Sequence, residues 1–214
     1  MAKVLQIDPA NPEEDALSTV AHEIIHGRLI ICPTDTLYGI GADACNPDAV
    51  ERVFDVKKRD RGKPLLILVN SVEMAIALVQ EVSEPARALI EKFWPGPLTL
   101  VFRAASCLTS KLTGGTGTIG IRYPQHAFCL KVLERCHRPM TSTSANISGH
   151  ERPSSIKEIV RTFESAVDLI VDAGDSSSTQ PSTVVDVTAR VPRVVREGAV
   201  KYELLRPYIT REGE

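Results

Sequence analysis

The chain has no excess of either charge. It sets 25 Lys and Arg against 27 Asp and Glu for a net charge of -2, so nothing global draws it to nucleic acid or an anionic membrane. Any basic function must come from a local patch. Long apolar runs are also missing. Apolar residues make up 43% of the chain yet never approach the roughly 20 in a row that a membrane span needs, and the N-terminal MAKVLQIDP lacks the apolar core of a secretory signal. A cytoplasmic protein with no membrane attachment is expected. Cysteines 32, 45, 107, 129 and 136 are odd in number and never fall as CxxC, which argues against a disulfide framework or a cysteine zinc site and predicts free, mostly buried thiols. No GxxxxGK[ST] occurs, so any ATP is held without a Walker loop.

What is present is enough for a sizeable core, and 214 residues predict one domain spanning 1–214. A strand at Val4 to Ile7 precedes a helix with Asn11 as cap, Pro12 in its first turn and an apolar face of Leu17, Val20, Ala21, Ile24 and Ile25, stopped by Gly27. A buried strand, Leu29 to Cys32, then runs into PTDTLYGIG. Asn46 and Pro47 start a second helix, with Val50, Val53 and Phe54 on its apolar face, that delivers the basic run KKRDRGK. Strands follow at 65–69, 98–103, 118–123 and 140–144, with helices at 71–79, 83–94 and 127–136. Ser155 and Glu158 form a capping box for a helix carrying Ile156, Ile159, Val160 and Phe163, and late strands fall at 168–172, 182–187 and 193–196, the first two separated by the loop GDSSSTQP. Early alternation and late clustering of strands predict an α/β fold: a twisted, open sheet of mixed direction flanked by helices.

Three short motifs have plainer readings. His22, Glu23 and His26 spell HExxH, but Gly27 ends the helix at once and a third zinc ligand, Glu51 for example, must be supposed; a surface helix is the simpler account. Gly115, Gly117 and Gly120 spell GxGxxG but lead into the strand TIGIRY rather than a helix, which reads as a loop. Ser154 and Lys157 match SxxK without its companion motifs, and helix capping explains the neighbouring serines.

A larger constellation remains. Lys57, Arg59, Arg61 and Lys63, the cluster Ser142, Thr143, Ser144 and Asn146, and Arg122, Ser182, Thr183 and Arg196 all stand at or just beyond the ends of expected elements, where side chains from separate segments converge on one cleft. Cations that neutralise charge, with hydroxyls that bind the remaining oxygens, suit a polyphosphate. For a charge run taken alone, a solvated surface is the commoner explanation; its occurrence with four other polar strand ends favours a site.

PTDTLYGIG, KKR followed by KPL, PGPLTLV, TIGIRYP, STSANISG, PSTVVD and VVREGAV, in this order, resemble the YrdC-like threonylcarbamoyl-AMP synthases. The resemblance implies an α/β sheet around a concave basic cleft and a reaction of L-threonine, bicarbonate and ATP that yields threonylcarbamoyl-AMP and pyrophosphate. The product would serve a separate transferase complex that modifies tRNA. By the same resemblance the KxR pair is Lys57 and Arg59 and the SxN pair is Ser144 and Asn146, the expected catalytic set that grips the nucleotide phosphates. Lys63, Thr118, Ser154 and Arg196 fall where the family also meets ATP; Thr36, Arg122, Ser142 and Ser182 fall where it meets L-threonine. ATP is expected as a substrate carrying Mg2+, with no protein metal cage and no prosthetic group. The chain resembles the short form of the family. It departs where some members carry a histidine and this chain has Leu68, and by about two extra residues before Ser154. The competing reading is a YciO-like relative that binds double-stranded RNA or tRNA with little synthase activity.

Overall fold

The computed structural model of the chain describes residues 1–176 and 180–209, so the loop GDSSSTQP lies partly outside the described residues. In chain order the elements begin with β1 (Lys3–Gln6), α1 (Glu14–Ile25), β2 (Ile30–Cys32), β3 (Gly39–Gly41), α2 (Pro47–Lys57) and β4 (Leu66–Leu68). Next come α3 (Val72–Ala77), α4 (Glu84–Phe93), β5 (Leu98–Arg103), β6 (Thr118–Arg122), α5 (Ala127–Cys136), β7 (Met140–Thr141) and β8 (Thr143–Ser144). α6 (Ile156–Phe163), β9 (Leu169–Asp172), β10 (Thr183–Asp186), β11 (Arg193–Arg196) and α7 (Tyr202–Leu205) complete the series.

Local chemistry sets most helix starts. Asn46 Oδ1 accepts from the N–H groups of Asp48 and Ala49 at 3.0 and 3.2 Å, with Pro47 in the first turn of α2. Ser71, Ser83 and Ser155 cap α3, α4 and α6 in the same way. α1 differs from its expected start. The Asn11 N–H is taken into a turn by Asp8 O at 3.2 Å, and the helix begins two residues after Pro12 without a side-chain cap, its first turn carrying Glu14 and Asp15 against the helix dipole. Gly27 ends it at a φ of +73°, a conformation costly for other residues.

The mixed α/β architecture is present, its strands divided between two open sheets. One runs β1-β9-β2-β3-β8 and the other β11-β10-β5-β6-β4-β7, each with parallel and antiparallel pairs. Alternation along β2 and β9 sends Ile31 and Ile170 into one core and Ile30, Cys32, Leu169 and Val171 into a second, against α1 and α5. Fully burying each such side chain contributes about 1.5–3 kcal/mol.

The expected strand at 140–144 is two strands. Thr141 and Met140 pair with Ile67 and Leu68 in the six-stranded sheet, whereas Thr143 and Ser144 pair with Ile40 and Gly39 in the other. The chain changes sheets at Ser142, whose N–H donates to Leu66 O at 2.8 Å. No strand is expected at Gly39–Gly41, because the sequence GIG gives no strand signal, yet it forms β3. A Cβ on Gly39 would stand 2.8 Å from Ser142 Oγ, so glycine is what lets β3 approach this crossing. The junction of the two sheets is therefore lined by backbone and hydroxyls.

Candidate functional site

A cleft of about 390 Å3 opens at this junction. Its floor is one face of the six-stranded sheet. Along β6, Thr118, Gly120 and Arg122 face the cleft while Ile119 and Ile121 are buried in the core behind, and along β5 Thr99 and Val101 do the same against Leu98, Leu100 and Phe102. Leu66 of β4, Ser182 and Val184 at β10, and Val195 and Arg196 of β11 extend the floor. The turn from Thr34 to Gly39 together with Ser142, Thr143, Ser144, Arg152 and Arg59 completes the lining. Eight of the residues expected from sequence thus meet in one cavity: Thr36, Arg59, Thr118, Arg122, Ser142, Ser144, Ser182 and Arg196.

The cleft is strongly cationic. Arg122 is buried, donating from Nη1 to Thr36 Oγ1 at 2.8 Å, from Nε to Gly96 O at 3.2 Å, and from Nη2 to the Asp35 carboxylate. Burial depresses its guanidinium from the usual value while Asp35 pulls it back up. Arg59 and Arg196 donate to backbone carbonyls, of Lys63, Pro64 and Ser182, and among the described residues pair with no carboxylate. Both are depressed, chiefly by burial, and Arg196 also by repulsion from Arg152 and Arg122. Arginines remain charged at neutral pH, so among the described residues Arg59, Arg122, Arg152 and Arg196 face this space, with one carboxylate, Asp35, paired among them. An anion of several charges is the natural complement.

Hydroxyls are held in place between the cations. Thr34 Oγ1 donates to Leu37 O at 2.7 Å, and its oxygen also meets the N–H groups of Thr36 and Leu37, which fixes the turn that carries Thr36. Ser182 Oγ lies 2.8 Å from Thr99 Oγ1. Tyr38 donates to Gly174 O at 2.7 Å and accepts from Ala173 N–H at 2.9 Å; burial pushes its phenol up to about 12, so it stays neutral.

Residues 22–198 match the family Sua5_yciO_yrdC, described as telomere recombination. The chain belongs to the Sua5/YciO/YrdC family. It is 37% identical over 197 residues to a threonylcarbamoyl-AMP synthase of Pyrococcus abyssi, a match covering 92% of this chain and 58% of that protein. A putative threonylcarbamoyl-AMP synthase of Mycobacterium tuberculosis is 39% identical over 198 residues, covering 92% and 91%. P. abyssi Sua5 in complex with L-threonine superposes with a TM-score of 0.93 at 34% identity, covering 98% of this chain and 62% of that one. E. coli YciO superposes with a TM-score of 0.88 at 27% identity, covering 98% and 100%. The chain thus spans about 60% of the length of the P. abyssi proteins and nearly all of the other two.

Four residues expected from the Sua5/YciO/YrdC motifs do not line the main cavity. Lys57 is 2% exposed, with its ammonium turned to the carbonyls of Ser144 and Asn146. Asn146 is engaged inside its own loop. Lys63 is exposed at the end of the basic run, and Ser154 lines a smaller adjoining pocket shared with Leu37, Tyr38, Ser144 and Arg152, where its N–H and Oγ donate to Glu158. Leu68, where the family pattern changes, is fully buried in the core with α1 and α5. Sequence reasoning missed Thr99 and Arg152. A threonine on the cleft face of LTLV was a legible signal; Arg152 showed only as a basic residue before Pro153.

Among the described residues HExxH gathers no third ligand. His22 and His26 stack with centroids 4.0 Å apart, Glu51 is engaged by Arg61 and Lys111, and among the described residues no three His, Cys, Asp or Glu stand together as ligands. GxGxxG is a turn into β6, as its context implied, and no helix among the described residues is long and apolar enough to cross a membrane. Cys32, Cys129 and Cys136 are buried free thiols, and Cys45 and Cys107 are exposed.

Proposed function

We propose that this protein is a cytoplasmic L-threonylcarbamoyladenylate synthase, using L-threonine, bicarbonate and ATP to make threonylcarbamoyl-AMP and pyrophosphate. The product supplies a transferase complex that modifies tRNA. One observation carries this reading: four arginines with a single paired carboxylate share a cleft with ordered hydroxyls, in a chain that superposes on a relative solved with L-threonine. A polyanion and a small polar amino acid are what that cleft can hold together.

In this reading Arg59, Arg196, Thr118 and Ser144 bind the triphosphate, with Lys63 and Ser154 at its margins. Thr36, Arg122, Ser142 and Ser182 bind L-threonine. Arg122 uses three of its five N–H groups on Thr36, Gly96 and Asp35, leaving two for the substrate carboxylate. Mg2+ arrives on the triphosphate as part of the substrate, held chiefly by phosphate oxygens and water.

The chemistry needs no side-chain nucleophile. The threonine amine attacks the carbon of bicarbonate-derived carbon dioxide and loses a proton, giving a carbamate. A carbamate oxygen then attacks the α-phosphorus, the bond to the β-phosphate oxygen breaks, and pyrophosphate leaves. Both partners are anions. A guanidinium about 4 Å from a phosphoryl charge contributes about 4 kcal/mol at an effective dielectric of about 20, enough to offset much of that repulsion. Fixed hydroxyls and arginines supply orientation and charge stabilisation.

The test is pyrophosphate release from MgATP by the purified protein, with each substrate omitted in turn. Release that requires both L-threonine and bicarbonate, and fails with serine or valine, supports the synthase. No release, with salt-sensitive binding of duplex RNA, would make the protein an RNA-binding relative instead.

A further inference from the structure

We propose that Lys57 is a positioning residue: it does not touch phosphate but holds the Ser144–Asn146 loop in its phosphate-binding shape. This inference rests on the synthase reading. Lys57 ends α2, and its Nζ lies 2.5 Å from Ser144 O, 2.7 Å from Asn146 O and 3.3 Å from Asn146 Oδ1. Three acceptors thus match the three N–H bonds of one ammonium. The backbone joins in, since Ser148 N–H donates to Lys57 O at 2.9 Å.

The loop closes around this post. Ser144 Oγ donates to Asn146 Oδ1 at 2.6 Å, and Asn146 Nδ2 donates to Ile147 O and His150 O, both at 3.0 Å. Among the described residues no carboxylate pairs with Lys57, and carbonyl dipoles balance its charge. That arrangement has a direct consequence for an anion. Carbonyl oxygens repel phosphate, and Lys57 keeps two of them turned into the protein while Thr143 and Ser144 line the cleft. Arg59 takes the other duty. Lys58 adopts a left-handed φ of 51° that ends α2, and Arg59, one residue later, reaches the cleft. The two cations of the KxR motif therefore have separate partners, Lys57 the loop and Arg59 the cleft.

The test combines Lys57→Met with Asn146→Ala. With Lys57→Met, kcat/KM for ATP should fall about 10- to 100-fold, the scale of lost charge-assisted hydrogen bonds, while KM for L-threonine stays within about twofold. The double variant with Asn146→Ala should be no worse than the poorer single variant. Without any substrate, amide exchange across residues 143–150 should rise in Lys57→Met. Unchanged exchange, or additivity with Asn146→Ala, would overturn the inference.

Wild-type protein gives an independent arm if neither Lys57→Met nor Lys57→Gln folds. An amine-acylating reagent should modify the exposed Lys58 and Lys63 but leave Lys57 unmodified with or without MgATP. Ready labelling of Lys57 that MgATP suppresses would mark a direct phosphate ligand and overturn the inference. Exchange and labelling decide the role of Lys57 in the loop even if no protein releases pyrophosphate, so failure of the synthase reading is seen separately.

Discussion

Asp35→Asn should destabilise the protein while making it more responsive to L-threonine. The Arg122 side chain is 4% exposed and that of Asp35 is 13% exposed, so the variant leaves a desolvated guanidinium without its counter-charge. Removing one partner of a buried pair costs about 3–5 kcal/mol. Arg122 keeps its bonds to Thr36 and Gly96, and the introduced amide can still accept a hydrogen bond, which puts the expected loss at the lower end, about 3 kcal/mol. With a urea slope of about 2 kcal/mol/M the unfolding midpoint should fall by roughly 1.5 M. An exposed pair would move it by less than about 0.5 M. The second readout is ligand-dependent. A substrate carboxylate replaces the lost charge, so L-threonine should raise the melting temperature of the variant more than that of wild type, and L-threoninol, which has no carboxylate, should not. A midpoint shift below about 0.5 M, or equal stabilisation by the two compounds, would refute the argument that Arg122 needs an anion and that threonine supplies one.

Arg59→Ala removes bonds to two carbonyls and should change stability by only about 1 kcal/mol, yet lower pyrophosphate release about 100-fold; release at the wild-type rate would remove Arg59 from the phosphate site. Burial, aided by Arg59, lowers Lys57 from 10.5 to about 8. Between about pH 8 and 10.5 the unfolded chain therefore binds more protons than the folded one, and wild-type stability should rise relative to Lys57→Met by at most about 1.4 kcal/mol per pH unit. Urea titrations of the two proteins at pH 7.5, 8.5 and 9.5 check this, and a difference that stays flat or narrows contradicts it. His22→Ala should leave pyrophosphate release unchanged, because that side chain is 66% exposed and far from assembling a ligand set; a large loss would return HExxH to consideration.

How far the site was legible in sequence follows from what each feature depends on. Helix starts at Asn46 and Ser155 depend on a few neighbouring residues and could be read directly. The start of α1 could not, because the helix begins after Glu13, which makes no side-chain cap, and Asn11 instead sits in a turn closed by its backbone N–H on Asp8 O. The convergence of Arg59, Arg122, Ser182 and Arg196 was anticipated from their places at the ends of elements, which is a topological regularity of α/β sheets. The change of sheet at Ser142 was hidden, since two-residue strands are defined by their partners, β4 and β3, and not by their own composition. The same limit hid the orientation of Lys57: a lysine two residues before an arginine gives no sign that one turns inward and the other toward the cleft.

Mass spectrometry of the product formed from ATP, L-threonine and 13C-bicarbonate tests the proposed synthase reaction most directly. Threonylcarbamoyl-AMP heavier by one mass unit than the product made with ordinary bicarbonate is expected, with pyrophosphate in equal amount. An adenylate of threonine that carries no label, or no adenylate at all, would contradict it.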